Sequence, residues 1–160
     1  MSKVLIDNNI WVAHEKMYPD AVSYINQTIE NEYEICMTRI IEMELLSFSE
    51  IETNPLVKDN REKYFLLIDE MFEIDGQTTK LAAEIRRKAK LAGRTAPKGP
   101  DALIAATASI HKLILVSNND KDFQWASKNY GFTYINPILN KAHYKAFCNQ
   151  FEVEKQNGLK

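Results

Sequence analysis

The sequence predicts an α/β fold of three layers, in which a short central parallel sheet is flanked by helices. Apolar runs at residues 4–6, 35–37 and 113–116 alternate with longer segments of helical periodicity. These runs show no polar alternation, as expected of parallel strands buried on both faces. Two of them stop abruptly on clusters of Asp and Asn, at residues 7–9 and 117–122. Open α/β sheets bind their ligands beyond the carboxyl ends of the strands, so these clusters mark a site.

The elements follow in order. After the first strand, residues 10–13 begin a helix or turn, and residues 20–30 form a helix with Pro19 in its first turn and Val22, Ile25 and Ile29 on one face. Thr38 follows the second strand and caps a helix carrying Glu42 and Glu44. Positions two apart lie about 200° apart around a helix, so only one of these acids can face a common site. Residues 47–55 read as an acidic connection. Residues 56–71 read as a long helix with Val57, Tyr64, Leu67, Ile68 and Met71 inward. A brief strand at 72–74 and a turn at Asp75 and Gly76 come next, with Thr78 or Thr79 capping a basic helix. Gly99 and Pro100 open a further helix with Asp101 in its first turn. Residues 132–135 form an edge strand ended by Pro137. The expected domain is residues 1–137; residues 138–160 are an extension, either a helix docked around Tyr144, Phe147 and Phe151 or an interaction tail.

At 160 residues, with 45% apolar and 26% charged residues, the chain has the composition of one globular domain. It contains no run long enough to span a bilayer and no signal peptide, so a cytoplasmic location is expected. Cys36 and Cys148 lie far apart, outside any CxxC, and are expected to be reduced. The net charge of −2 does not mark a nucleic-acid binder, yet Arg86, Arg87, Lys88, Lys90, Arg94 and Lys98 form a basic run just before Asp101. Such a run is either a solvated helix face or a surface that holds a polyanionic backbone while the acids act on it. No GxGxxG or GxxxxGK occurs, which excludes nucleotide binding through a glycine-rich loop.

Parallel strands finishing in carboxylates bring negative charge together, and such groups stay ionised only beside a cation. An all-oxygen set of three or four acids, with Asn9, Ser117 and Asn119 beside them, suits Mg²⁺ or Mn²⁺. A water made acidic by that ion can attack a phosphodiester. The histidines His14, His111 and His143 lack zinc-ligand spacing and are expected in structural or surface roles. Trp11 is expected in the core.

The same residues carry a resemblance. Residues 5–9, Leu-Ile-Asp-Asn-Asn, look like the opening Leu-Asp-Thr-Asn signature of PIN-domain ribonucleases. Glu44, Leu45 and Leu46 resemble their Glu-Leu-Leu helix, and residues 101–108 their Asp-x-x-Ile-Ala-Ala-x-Ala helix. Residues 117–123 are similar to their Thr-x-Asn-x-x-Asp-Phe ending. The likeness spans roughly residues 3–137 and is greatest to the VapC toxins of toxin-antitoxin pairs. It implies a metal-dependent endoribonuclease in which Asp7, Glu44, Asp101 and a fourth acid bind the metal and activate water. Asp122 is taken as that acid, the family's other position being Asn119. The resemblance also implies a homodimer held by an antitoxin whose tail covers the cleft. Asn8 departs from the family's Thr. The basic residues Arg86, Arg87, Lys90 and Arg94 are the RNA-binding candidates. A non-catalytic module of the same fold, binding protein or RNA, is the alternative.

Overall fold

The computed structural model describes residues 2–158. Five strands form one parallel sheet in the order β3-β2-β1-β4-β5: β1 (Lys3–Ile6), β2 (Glu34–Thr38), β3 (Glu70–Phe72), β4 (Ile114–Val116) and β5 (Thr133–Ile135). The chain builds outward from β1 to β3, returns to the other side of β1 for β4, and ends at the edge with β5. Strand order therefore reverses between β1 and β4, whose carboxyl ends carry the two Asp/Asn clusters. Register holds those ends level: Ile6 pairs with Val116, and the Asp7 amide donates to the Val116 carbonyl at 2.9 Å.

Eight helices cover the sheet: α1 (Asn8–Glu15), α2 (Pro19–Glu30), α3 (Arg39–Leu46), α4 (Pro55–Leu66), α5 (Gly76–Leu91), α6 (Gly99–His111), α7 (Asp120–Tyr130) and α8 (Lys141–Gln156). The core between them is aliphatic and aromatic, with Leu5, Ile6, Trp11, Met37, Ile104 and Phe123 fully buried. Each such side chain contributes about 1.5–3 kcal/mol by leaving water. Trp11 donates its indole N–H to the Ile6 carbonyl at 3.0 Å, so this polar atom is satisfied inside the core.

Several elements differ from the sequence expectation. The helix expected over 56–71 stops at Leu66, and β3 begins at Glu70. Asp69 decides this: its backbone N–H donates to the Ile35 carbonyl at 2.8 Å and its carboxylate accepts from the Ile35 N–H at 2.8 Å, so it already pairs with β2. Met71 consequently lies on a strand, and Leu67 is exposed. Ile29 is also exposed; Ala21, Ile25 and Thr28 form the buried face of α2, with the Thr28 hydroxyl returned to the Tyr24 carbonyl. Neither Thr78 nor Thr79 caps α5. Asp75 does, accepting from the Thr78 N–H at 2.8 Å and from its hydroxyl at 2.9 Å.

The extension beyond 137 contains a docked helix. No residue of α8 is buried, but Tyr144 and Phe147 pack edge-on against the buried ring of Tyr18, whose hydroxyl lies 2.9 Å from His143 Nδ1. Ion pairs Lys141–Asp120 (2.6 Å) and Lys155–Glu50 hold its two ends. His14 meets the Tyr64 hydroxyl at 2.7 Å and His111 stacks near Phe72, so the three histidines have the structural and surface roles expected. Cys36 and Cys148 are free thiols. Among the described residues, no helix is long and apolar enough to cross a membrane.

Candidate metal and nucleic-acid site

Asp7 ends β1 and is itself the N-cap of α1, accepting from the Asn8 N–H at 2.8 Å. Its carboxylate is therefore fixed by both elements, and only 4% of the residue is exposed. Across the strand-order reversal, the buried Ser117 hydroxyl donates to Asp7 Oδ2 at 2.7 Å, and the Asn9 amide reaches the same oxygen at 3.4 Å. Asn9 also donates to Ser117 Oγ (3.0 Å) and accepts from the Asn118 N–H (3.0 Å). Asn9 and Ser117 thus orient Asp7 and tie the ends of β1 and β4 together.

The second pair of acids lies at two helix starts. Asp101 is in the first turn of α6, and Asp122 in the first turn of α7. The Asn119 amide donates to Asp122 Oδ2 at 3.0 Å and to Asp101 Oδ2 at 3.4 Å. Asn119 occupies the N-cap position of α7 without making a side-chain cap; its amide is committed to the carboxylates instead. Glu44 comes from α3, whose start is capped by Thr38 (Ile41 N–H to Oγ1, 3.2 Å). Glu42, on the other side of that helix, pairs with Arg39 at 3.0 Å. The two-residue spacing thus separates the acids as expected.

Asp101 lies within the electrostatic reach of the other three carboxyl groups. Burial pushes Asp7 up, against the opposing hydrogen bonds from Ser117 and Asn8. Glu44 is pushed up to about 7, first by burial and then by the Asp7 charge. Asp101 is also pushed up to about 7: by burial, by its hydrogen bond with the Asp122 carboxyl, and by the charges of Asp7, Asp122 and Glu44. Glu44 makes no side-chain hydrogen bond among the described residues. Beside it opens a cleft of about 570 Å³ whose wall includes Asn8, Phe48, Arg61, and Phe151 and Lys155 of α8.

These shifts give a pH dependence with a definite sign. Both carboxyls have folded values above their ordinary 4.5 and 3.8, so the unfolded chain releases these protons first as pH rises. Their contribution to stability is complete below pH about 4 and is lost between about 4 and 7. After discounting for solvent screening of half-buried groups, the loss is about 1–2 kcal/mol per site. Urea unfolding in chelator at pH 5 and pH 8 measures it; Glu44→Gln should flatten the profile.

The donor set fits a hard divalent cation. It is all oxygen, and the Asn119 amide that donates to Asp101 and Asp122 is neutral, so it leaves their negative charge uncompensated. Among the described residues, no three His, Cys, Asp or Glu side chains stand close enough together to hold a metal ion between them. Mg²⁺ suits such an open arrangement, because it takes one or two carboxylates and keeps several waters.

The basic helix α5 is divided in its roles. Arg86 donates to the Pro97 carbonyl at 3.0 Å and so anchors the loop before α6, while Arg87 lines a separate shallow groove with Glu84 and Ile110. Lys90 and Arg94 are exposed.

The sequence matches the PIN domain family over residues 4–129. The chain belongs to the PIN-domain family. No curated protein matches it. Solved structures do: VapBC2 from Rickettsia felis bound to a promoter DNA fragment has 19% identity and a TM-score of 0.67, over 84% of this chain and 98% of that one. DNA-bound VapBC from Salmonella typhimurium has 21% identity and a TM-score of 0.66, over 86% and 99%. FitAcB from Neisseria gonorrhoeae has 21% identity and a TM-score of 0.67, over 86% and 99%. These likenesses establish the PIN fold of the chain. The family match ends within α7, so α8 lies outside it.

Proposed function

We propose that this PIN-domain protein is a Mg²⁺- or Mn²⁺-dependent endoribonuclease and the toxin of a toxin-antitoxin pair. The observation that carries the reading is the placement of acids from separate elements at the carboxyl ends of β1 and β4: Asp7 fixed by Ser117 and Asn9, and Asp101 and Asp122 joined through the Asn119 amide. The PIN family membership and the toxin-antitoxin complexes among structures of the same fold support it.

Asp7, Glu44, Asp101 and Asp122 would hold the ion. When bound, the ion supplies an acidified water and neutralises charge on the phosphate. The chain's own residues do the rest. Ser117 and Asn9 keep the Asp7 carboxylate in one orientation through the hydrogen bonds it accepts. Asn119 holds Asp101 and Asp122 in register through the hydrogen bonds its amide donates to both. Glu44, which makes no side-chain hydrogen bond among the described residues, keeps both carboxyl oxygens available to the ion and its water. The cleft beside Glu44 is where a flexible RNA strand, or an antitoxin segment excluding it, would lie. The further partner is a second copy of this chain.

Incubation of total cellular RNA with the wild type and Asp7→Asn, in Mg²⁺ and in excess chelator, tests the proposal. Cleavage by the wild type in Mg²⁺ alone is expected. Equal cleavage by both proteins, or cleavage that persists in chelator, overturns it.

A further inference from the structure

Lys98 precedes α6 by one residue, and Lys121 lies in the first turn of α7. Both therefore stand at the helix starts that carry Asp101 and Asp122. The four side chains, with Thr95 and Asn119, line one recess of about 270 Å³. Among the described residues, neither lysine side chain has an ion-pair or hydrogen-bond partner, although Asp101 and Asp122 face the same space. This contrasts with the rest of the surface near the site. Lys16, Lys141 and Lys155 are paired with Glu152, Asp120 and Glu50, and Arg61 with Glu15. The acids here accept instead from the Asn119 amide. Two exposed ammonium groups are thus left available at the rim of an otherwise acidic centre.

We propose that Lys98 and Lys121, with the Thr95 hydroxyl, form a phosphate subsite that holds the RNA backbone next to the phosphodiester being cut. This rests on the ribonuclease reading and adds the strand's path: from the cleft beside Glu44, across the acids, to the recess between the starts of α6 and α7. An ammonium on a flexible stem suits this task, because it follows a mobile phosphate as a point charge. It also offsets the repulsion between a polyanion and four carboxylates, which the net charge of −2 does not do. The lysines are positioning residues and take no part in bond making.

The test is binding of a fluorescent single-stranded oligoribonucleotide to a cleavage-deficient Asp7→Asn protein in Mg²⁺ between about 50 and 200 mM salt, with Lys98→Ala and Lys121→Ala added singly and together. Each lysine should lower the slope of log K against log salt by about 0.7, and the pair by about 1.4. In the Asp7 wild-type background, KM should rise with little change in kcat, and Lys→Arg should restore KM. RNA binding with an unchanged slope and KM overturns the subsite and leaves the ribonuclease reading intact. Absence of RNA binding at every salt concentration overturns both.

Discussion

Asp101→Asn is expected to make the metal-free protein more stable and at the same time inactive. The wild-type carboxyl is forced up to about 7 by burial and by the charges of Asp7, Asp122 and Glu44. Replacing it with an isosteric amide removes that repulsion. At pH 7.5 in chelator this should contribute about 1–2 kcal/mol after discounting for partial exposure, or about 3–6 °C in melting temperature for a chain of this size. Mg²⁺ should raise the melting temperature of the wild type, since an ion that binds only the folded state stabilises it by mass action. That rise should vanish in the variant. RNA cleavage should fall by at least about 100-fold, the upper end of what even the partners of metal ligands typically cost. A variant that melts lower than wild type in chelator would show that the acids are not in conflict.

Arg61 should give the largest loss of stability of any single exchange near the cleft. Its residue is 3% exposed, its Nε and Nη2 both reach the Glu15 carboxylate at 3.1 Å, and its Nη1 donates to the Leu45 carbonyl at 2.5 Å. The Phe48 ring packs 4.4 Å from the guanidinium. Arg61→Met leaves the half-buried Glu15 carboxylate unpaired and the Leu45 carbonyl without this donor, which costs about 3 kcal/mol. Because Leu45 follows Glu44, the same change loosens the helix that presents Glu44, and cleavage should fall with stability. Adding Glu15→Gln should recover part of the stability, since the uncompensated charge is gone. Urea denaturation of the three variants measures this; additive losses would contradict the coupling.

The fold was legible in the sequence to the extent that strand and helix periods differ. The runs at 4–6, 35–37 and 113–116 are too apolar and too short for anything but buried parallel strands, and β1, β2 and β4 lie on them. The boundary between α4 and β3 was not legible. No Gly or Pro separates them, and Asp69 stops the helix through a pairing with Ile35, a residue distant in sequence. The cap of α5 was misread for a local reason: Asp75 accepts more strongly than a threonine hydroxyl and takes the Thr78 N–H. The acids at 7, 101 and 122 were visible as carboxylates at element ends, and Glu44 as one on a helix. Their convergence depends on strand order, which periodicity does not encode. Lys98 was seen only as the end of a basic run, and Lys121 only as a member of the 117–123 motif with no role of its own. Both gain meaning once α6 and α7 are known to start at the same place.

The helix α8 lies beyond the family match yet supplies Phe151 and Lys155 to the cleft wall. It is held at its ends by ion pairs and in its middle by the Tyr18 ring. Phe151 and Lys155 form one side of the cleft beside Glu44.

Calorimetric titration of Mn²⁺ into the metal-free wild type and into Asp7→Asn tests most directly whether folding gathers these carboxylates to hold a cation. The wild type should bind with an affinity of about millimolar or tighter, with release of protons from the groups near 7, and Asp7→Asn should bind far more weakly. Equal heats and equal affinity in the two proteins, or no binding to the wild type, would contradict the account.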